Sequence, residues 1–329
     1  MLAHGIMPKN GDGESDDSQL TICIVQPPLR QDEQHPLDAV DTVLSLLKQA
    51  ALEIETYQHA RNSREGPVLF LLPELCPIGY SDDTFANYLP QTPGIQKIYL
   101  LMDTKMQEAA KSLNAHLCYG TIGWENSSRY GDLDSSTSKL SYFIRQVVIN
   151  PLGECIAKYD KIHLCDYGDC SETRFFMAGT QPVTFAIGDF RFGILICADM
   201  RYPLLSHHYV KTYAVDVLLQ PACFMRDISF RTWASFRETR AVENAVYFAA
   251  ANYSGDDYGE ASLVPPWVDQ YHEPRVMGTE VGYLIGTIDR YVLEEARTKL
   301  PFFRHLSQDT VGCGGCRDPE RDQSGKKNK

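Results

Sequence analysis

Short apolar segments alternate with longer segments of helical periodicity from residue 21 to residue 298. The apolar segments have strand length and predict strands at 21–26, 68–72, 116–122, 142–149, 155–157, 183–187, 192–196, 215–219, 246–250, 262–264 and 282–288. The periodic segments predict helices at 37–57, 95–113, 203–213, 229–244 and 290–298. Because hairpins and helix-linked strands both occur, we predict an α/β fold in which helices cover mixed sheets.

The body of the chain, residues 18–305, is predicted to form one domain, since no linker divides it. The two ends differ from this body in composition. Residues 1–17 are polar and glycine-rich, and residues 306–329 combine several glycines with a lysine-rich end. We therefore expect flexible tails at 1–17 and at 306–329.

Charge and hydropathy argue against several classes of protein. The chain has 31 basic and 43 acidic residues, so it lacks the basic excess that neutralises nucleic-acid phosphates. No segment approaches the ~18 apolar residues of a membrane span, and the first residues contain no apolar signal segment. The 10 cysteines are spread through a long chain, which favours reduced thiols. We expect a cytoplasmic protein that binds neither nucleic acid nor membranes.

Several catalytic motifs of fixed spacing are absent from the sequence: the G-x-x-x-x-G-K-S/T phosphate loop, a G-x-G-x-x-G after a strand, the G-x-S-x-G elbow and the H-E-x-x-H helix. Three polar residues instead follow predicted strands, namely Glu74, Lys161 and Cys197. A thiol that attacks an amide carbonyl needs a base, donors for the oxyanion and an acid for the leaving nitrogen. These residues supply those groups, although each also fits an ordinary structural role and spacing alone does not bring them together.

Three ordered segments around these residues resemble the motifs of the nitrilase superfamily of carbon-nitrogen hydrolases. They are E-L-C-P-I-G-Y at 74–80, N-P-L-G-E at 150–154 with Y-D-K-I-H-L at 159–164, and G-I-L-I-C-A-D-M-R-Y-P at 193–203. The segment E-T-R-F-F-M-A-G at 172–179 resembles the one that carries a second glutamate in this family. The resemblance covers roughly residues 20–305.

This resemblance implies a four-layer α-β-β-α sandwich with two mixed sheets and a Glu-Lys-Cys triad at one end. Glu74 would act as base and acid, and Cys197 would act as the nucleophile. Lys161 and the backbone amide of Ala198 would stabilise the oxyanion, while Glu172 would hold Lys161 by charge pairing. The reaction would pass through a thioester and release ammonia or an amine, with no cofactor and no metal.

The residues after the nucleophile bear on the substrate. True nitrilases usually have Trp-Glu there, whereas Ala198-Asp199 follows in this chain, so the resemblance favours a small-molecule amide. Residues 200–202 resemble the omega-amidase branch, and residues 172–179 resemble N-carbamoyl amidohydrolases. An N-carbamoyl amidohydrolase, a nitrilase and a catalytically silent binding subunit remain alternatives. The predicted substrate-binding residues are Tyr80, Ala198, Arg201, Cys223 and Phe224, with Arg174 and Arg226 as further candidate anchors for a carboxylate.

A metal protein is a third hypothesis, because ligand-type residues occur in two places. One group is His163, Cys165, Asp166 and Cys170, and the other is the C-x-x-C of Cys313 and Cys316. A lone C-x-x-C is a weak signal, since a structural zinc needs about four ligands. We therefore predict no metal site.

Self-association is expected from the resemblance, because family members commonly pair the helices that follow the nucleophile. Those helices are predicted at 203–213 and 229–244. The aromatic residues expected at the interface are Tyr209, Tyr213, Trp233 and Phe236. We predict a homodimer or a higher homo-oligomer.

Overall fold

The computed structural model describes residues 18–61, 66–126, 140–168 and 170–300. The tails predicted at 1–17 and 306–329 lie outside the described residues, and so do Cys313 and Cys316.

Two six-stranded mixed sheets form the centre of the described structure. The strands of the first sheet are β1 (Gln19–Gln26), β2 (Val68–Leu71), β3 (His116–Asn126), β4 (Leu140–Ile149), β5 (Cys155–Asp160) and β12 (Gly282–Asp289). The strands of the second sheet are β6 (Thr184–Ile187), β7 (Phe190–Ile194), β8 (Val217–Pro221), β9 (Tyr247–Ala251), β10 (Ser262–Val264) and β11 (Arg275–Val276).

Each sheet has parallel strands at its centre and antiparallel strands at its edges. The first has the order β12-β1-β2-β3-β4-β5, with β1, β2 and β3 parallel. The second has the order β11-β10-β9-β8-β7-β6, with β7, β8 and β9 parallel. The carboxyl ends of parallel strands share one edge of a sheet, so residues that follow β2 and β7 are placed near the ends of the two sheets.

The helices of the described residues are α1 (Pro36–Arg61), α2 (Asp82–Tyr88), α3 (Pro93–Ser112), α4 (Pro203–Tyr213), α5 (Arg231–Asn244) and α6 (Arg290–Lys299). None of them is long and apolar enough to cross a membrane. Helices α1 and α3 pack on the first sheet, α5 packs on the second sheet beside α4, and β1 meets β9 between the sheets. This arrangement confirms the predicted α-β-β-α layers.

The central strands are buried on both faces, which explains why their sequences read as continuous apolar runs. Every residue of β8 and of β9 is buried. A strand between two layers has no solvent face, so apolar and polar residues do not alternate along it. The predicted strands and helices agree with the observed ones to within a few residues at most ends.

Two elements were not predicted from the sequence, α2 and β11. Helix α2 has only seven residues and begins where the Ser81 hydroxyl accepts a hydrogen bond from the Thr84 amide at 2.9 Å. Such a short segment has too few turns to show helical periodicity. Strand β11 has two exposed residues and is defined by its pairing with β10, a long-range contact.

The predicted interface aromatics require a correction, because two of them belong to the core. Tyr209 is fully buried and donates to the Ile194 carbonyl oxygen at 2.8 Å. Trp233 is also fully buried, and its indole N–H donates to the Glu260 carbonyl oxygen at 3.1 Å. Their side chains point inward from amphipathic helices, so they are not available to a second chain.

Candidate active site

The turn after β2 carries Glu74 into the interior. Its carboxylate is fully buried, and the Tyr253 hydroxyl donates to its backbone carbonyl at 2.7 Å. Gly120 of β3 lies directly behind this turn, where a Cβ would stand 2.2 Å from the Leu75 nitrogen. Only glycine allows the turn to pack this closely, so the neighbouring strand fixes the position of Glu74.

Lys161 follows β5 directly and is also fully buried. Its backbone is held on both sides, since its amide donates to the Ile144 carbonyl and its own carbonyl accepts from Gly179. The ammonium Nζ lies 2.7 Å from Glu74 Oε1 and 2.7 Å from Glu172 Oε1. Two buried carboxylates therefore share one buried cation.

Glu172 begins a single 3₁₀ turn, Glu172–Arg174, and its side chain accepts three different donors. Lys161 binds Oε1, the Tyr80 hydroxyl donates to the same oxygen, and the Cys165 amide donates to Oε2 at 2.8 Å. A buried carboxylate with this many donors is held in one position. Glu172 is thus a fixed anchor for the lysine.

Cys197 stands at the end of the segment that continues β7 and begins a 3₁₀ turn, Cys197–Arg201. Its φ is 42°, in the left-handed region that residues with a side chain rarely adopt. The Gln220 side-chain amide donates to the Cys197 carbonyl oxygen at 2.9 Å and secures this conformation. The Sγ lies 4.0 Å from the Cys223 carbonyl oxygen, to which the thiol donates.

Asp199 links the 3₁₀ turn that begins at Cys197 to the segment around Lys161. Its Oδ2 accepts from the Ile196 amide at 2.9 Å and from the Tyr159 hydroxyl at 2.7 Å. Its Oδ1 lies 2.8 Å from both the amide nitrogen and Nδ1 of His163. Sequence reasoning placed Asp199 only beside the nucleophile and missed this bracing role. Its position two residues after Cys197 within the motif was the available signal.

The pKa values of Glu74 and Lys161 depend on each other and on the charge of Glu172. Burial raises the pKa of Glu74 to about 7, with the Glu172 charge adding to the rise and Lys161 opposing it. Burial alone would lower the pKa of Lys161, but the charges of Glu172 and Glu74 raise it well above its usual value. Lys161 is therefore a permanent cation, while Glu74 can gain or lose a proton near neutral pH.

The Cys197 thiol is neutral at rest. Burial raises the pKa of the Cys197 thiol well above its usual value, and the Glu74 charge raises it further. A thiol of this kind needs a base to become a thiolate at the moment of attack. Glu74 is the group nearby whose proton affinity suits that task.

Cys197 lines a cavity of about 630 Å³. Its lining includes Cys197 and every predicted substrate-binding residue: Tyr80, Ala198, Arg201, Cys223 and Phe224. Within the described chain, the Ala198 amide has no protein acceptor and is free to donate to a substrate oxygen. The Cys223 amide instead donates to Glu74 Oε2 at 3.0 Å. The cavity also includes α2 residues that the sequence did not indicate, Asp82 and Phe85.

The three candidate arginines differ in their partners. Arg174 is paired with Asp82 at 2.6 Å and Arg226 with Glu260 at 3.0 Å, so a protein carboxylate already neutralises each of these charges. Arg201 lines the cavity and donates to the Ser229 hydroxyl at 3.0 Å. No carboxylate among the described residues pairs with Arg201.

The residues of the metal hypothesis make other contacts. His163 binds Asp199, and Asp166 accepts from the Thr173 hydroxyl at 2.6 Å. Among the residues that the structure describes, no three or more His, Cys, Asp or Glu side chains are arranged to hold a metal ion.

Sequence comparisons find relatives over most of the chain. Residues 23–298 match the family model described as carbon-nitrogen hydrolase. The chain is 28% identical over 256 residues to omega-amidase NIT2 of Homo sapiens, covering 74% of this chain and 85% of the relative. It is 30% identical over 187 residues to deaminated glutathione amidase of Rattus norvegicus, covering 50% of this chain and 53% of that protein.

A solved structure shows the same fold. XC1258 from Xanthomonas campestris, described as a CN-hydrolase superfamily protein, superposes with a TM-score of 0.67 at 20% identity. The match covers 89% of this chain and 99% of that one. At this level of identity the likeness bears on the architecture alone.

Proposed function

The chain belongs to the carbon-nitrogen hydrolase family, and we propose that it hydrolyses the carboxamide of a small anionic molecule through a thioester on Cys197. The observation that carries this proposal is the Lys161 ammonium, placed 2.7 Å from both Glu74 and Glu172 beside the buried thiol. This arrangement provides a base, a cation and a nucleophile in one water-poor place. A binding subunit would have no physical need to bury these charges together.

Acylation starts with proton transfer. Glu74 takes the thiol proton as Cys197 Sγ bonds to the amide carbonyl carbon. Negative charge then develops on the carbonyl oxygen, where the Lys161 ammonium and the Ala198 amide stabilise it. The carbon-nitrogen bond breaks, Glu74 returns the proton to nitrogen, and ammonia leaves a thioester on Cys197.

Deacylation uses the same groups in reverse order. Glu74, now ionised, takes a proton from a water molecule that attacks the thioester carbonyl. Lys161 and Ala198 stabilise the second oxyanion, the carbon-sulfur bond breaks, and the thiol regains its proton. Glu172 keeps Lys161 charged and in place throughout, because it remains bound to Nζ at 2.7 Å.

The rate of amide hydrolysis should rise with pH as Glu74 loses its proton. As the base, Glu74 must be ionised in the free enzyme, and its pKa is raised to about 7. We expect kcat/KM to rise about tenfold per pH unit below about pH 7 and to level off above it. The Glu172 charge contributes to the raised pKa, so Glu172→Gln should shift the midpoint to lower pH. A profile that is flat between about pH 5.5 and 8.5 in the wild type would exclude Glu74 as the titrating base.

Arg201 supports an anionic substrate. It is a cation on the cavity wall without a protein carboxylate among the described residues, and its guanidinium stacks 5.1 Å from the Phe224 ring centre. Stacking on an aromatic ring leaves the N–H groups of an arginine free to bind a carboxylate. The proposed substrate therefore carries a carboxylate at the end away from its amide.

Loss of this cation should weaken binding more than turnover. Arg201→Met is expected to raise KM for an amide that carries a carboxylate about 10- to 100-fold, the worth of one charge-assisted contact. KM for a neutral amide of the same length should change little. Arg226→Met is the matched control, since Arg226 is paired with Glu260 and does not line the cavity. Equal effects on the charged and the neutral amide would show that Arg201 does not read the carboxylate.

A substrate panel tests the proposed activity. Ammonia release is measured with succinamate, its neutral analogue butyramide, an N-carbamoyl amino acid and a nitrile of the same length, with Cys197→Ala as the blank. We expect succinamate to have the highest kcat/KM. Preferred release of carbon dioxide and ammonia from the N-carbamoyl compound would favour the carbamoyl alternative. No activity on any amide would refute the proposal.

We also propose that the protein forms a homodimer through α4 and the loop before α5. Exposed apolar side chains occur there, with Leu204 80% and Ile228 93% exposed. Apolar residues in such positions are typical of an interface that excludes water. Light scattering at micromolar concentration should give twice the chain mass, and Leu204→Glu should reduce it. A monomeric wild type would contradict this proposal.

A further inference from the structure

The substrate cavity is lined by more thiols than the proposed reaction uses. Cys165, Cys170, Cys197 and Cys223 all contribute to its wall. The mechanism assigns a role only to the thiol of Cys197. Cys165 and Cys170 are half-buried, so a small reagent in the cavity can reach them.

The loop that carries Cys165 and Cys170 is closed on itself. The Glu172 amide donates to the Cys165 carbonyl at 3.1 Å, and the Cys170 amide donates to the Tyr167 carbonyl at 3.2 Å. The Tyr167 carbonyl oxygen also lies 4.0 Å from the Cys165 Sγ, so the Cys165 side chain and the Cys170 amide converge on one carbonyl. The two cysteines are thus close in sequence and lie on the same cavity wall, and a disulfide between them requires a rearrangement of the short segment that joins them.

The backbone of the segment that carries the two cysteines binds Glu172 directly. The Cys165 amide donates to Oε2 at 2.8 Å. The Tyr80 hydroxyl donates to Oε1, and Tyr80 lines the same cavity as Cys170. Glu172 in turn binds Lys161 at 2.7 Å. A change in the sulfur pair can therefore reach the lysine that faces the oxyanion.

Cys165 is the more reactive thiol of the cavity at neutral pH. The neighbouring Cys170 side chain lowers the pKa of the Cys165 thiol to about 6, although burial acts in the opposite direction. Burial raises the pKa of Cys197 instead. Since thiolates and not thiols attack peroxides, an oxidant should meet Cys165 first.

We propose that Cys165 and Cys170 form a redox modification site, which a hydroperoxide oxidises to an intrachain disulfide that lowers the amidase activity. The Cys165 thiolate attacks the peroxide O–O bond, which gives a sulfenic acid and releases water or an alcohol. Cys170 then attacks the sulfenic sulfur as its thiolate, and the departing hydroxide takes up the Cys170 proton and leaves as a second water. The two sulfur atoms together lose two electrons and two protons, and the peroxide is reduced.

The disulfide lowers activity by changing the surroundings of Glu172. It draws the sulfur atoms to a bonded distance of about 2.05 Å and displaces the Cys165 backbone, whose amide binds Glu172. Because Tyr80 and the Cys165 amide both hold Glu172, the lysine it positions shifts with it. A displacement on the order of 1 Å at a catalytic group can cost about 10²-fold in rate. The effect on rate rests on the proposed amidase function, whereas formation of the disulfide does not.

The test treats the reduced 329-residue chain with hydrogen peroxide and follows two readouts. The parent chain and every variant in this test carry Cys313→Ser and Cys316→Ser. Without these substitutions the C-x-x-C pair could itself be oxidised to a disulfide. Peptide mass mapping should find a disulfide that joins Cys165 to Cys170 while Cys197 remains reduced. Activity on succinamate should fall at least about tenfold and return with dithiothreitol.

Matched variants separate this site from the other thiols. After peroxide treatment, the Cys170→Ser variant should show no loss of activity that dithiothreitol reverses, compared with the same variant before treatment. Cys155 is an exposed thiol on β5, and the Cys155→Ser variant should lose and regain activity as the parent chain does. Oxidation of Cys197 before Cys165, or no Cys165–Cys170 disulfide once peroxide is consumed, would overturn the site. A disulfide that forms without any change in activity would overturn its link to Glu172. The mass readout decides the first question even if succinamate is not hydrolysed.

Discussion

Replacing Cys197 by alanine should abolish amide hydrolysis, with a fall of roughly 10⁴-fold or more in kcat. In the proposed mechanism the thioester forms on this sulfur, so its removal leaves no atom to accept the acyl group. The fold should survive, since alanine is smaller and the turn around residue 197 is held by Gln220 and Asp199. A melting transition within a few degrees of the wild type and an ammonia assay check both expectations.

The other cysteines provide the controls for this result. Cys155→Ala removes an exposed thiol on β5 and should retain full activity. Cys223→Ala removes a buried thiol from the same cavity wall but leaves the backbone amide that binds Glu74, so hydrolysis should remain measurable. Wild-type activity in Cys197→Ala, or complete loss in Cys223→Ala alone, would assign the nucleophile elsewhere.

Glu74→Gln should lower kcat by about 10² to 10⁴-fold, the usual contribution of general acid-base catalysis. The amide keeps the shape of the side chain but can neither take the thiol proton nor return it to nitrogen. Glu74 accepts from both Lys161 and Cys223, whereas glutamine has only one acceptor oxygen. The glutamine NH₂ group then faces either the Lys161 ammonium or the Cys223 amide, both of which are donors. This mismatch lowers the free energy of unfolding by about 1–3 kcal/mol, so the melting temperature should fall by a few degrees.

Glu74→Asp serves as the matched variant, because it retains a carboxylate at a shorter reach. It should keep more activity than Glu74→Gln and preserve a titration in the pH profile. If Glu74→Gln stays within a few-fold of the wild type, another base serves Cys197 and the assigned roles are wrong.

The strands were predictable because their burial leaves a direct record in the sequence. Val217–Pro221 and Tyr247–Ala251 are buried at every position, so Tyr247–Ala251 reads as an uninterrupted apolar run and Val217–Pro221 as an apolar run broken only by Gln220. The same reasoning failed for Asp82–Tyr88, whose short helix depends on the Ser81 cap. It also misplaced Tyr209 and Trp233, since an aromatic residue on a helix looks the same whether it faces the core or a partner.

The site was only partly predictable, because its contacts join distant parts of the chain. Glu74 and Lys161 each follow a strand, but their contact spans 87 residues and entered as an expectation through the resemblance. The contact between Tyr80 and Glu172 spans 92 residues, and no local pattern indicates it. The role of Asp199 in joining Tyr159 to the nucleophile turn also depends on how β5 and β7 approach each other.

The central claim, covalent catalysis by Cys197, is tested most directly by trapping the acyl-enzyme. Wild-type protein is mixed with excess succinamate, quenched in acid within milliseconds and mapped by peptide mass. We predict one succinyl group on the peptide that contains Cys197 and none in the Cys197→Ala variant. Ammonia release without any acylated peptide, or an acyl group on Cys165 or Cys223 instead, would contradict the account.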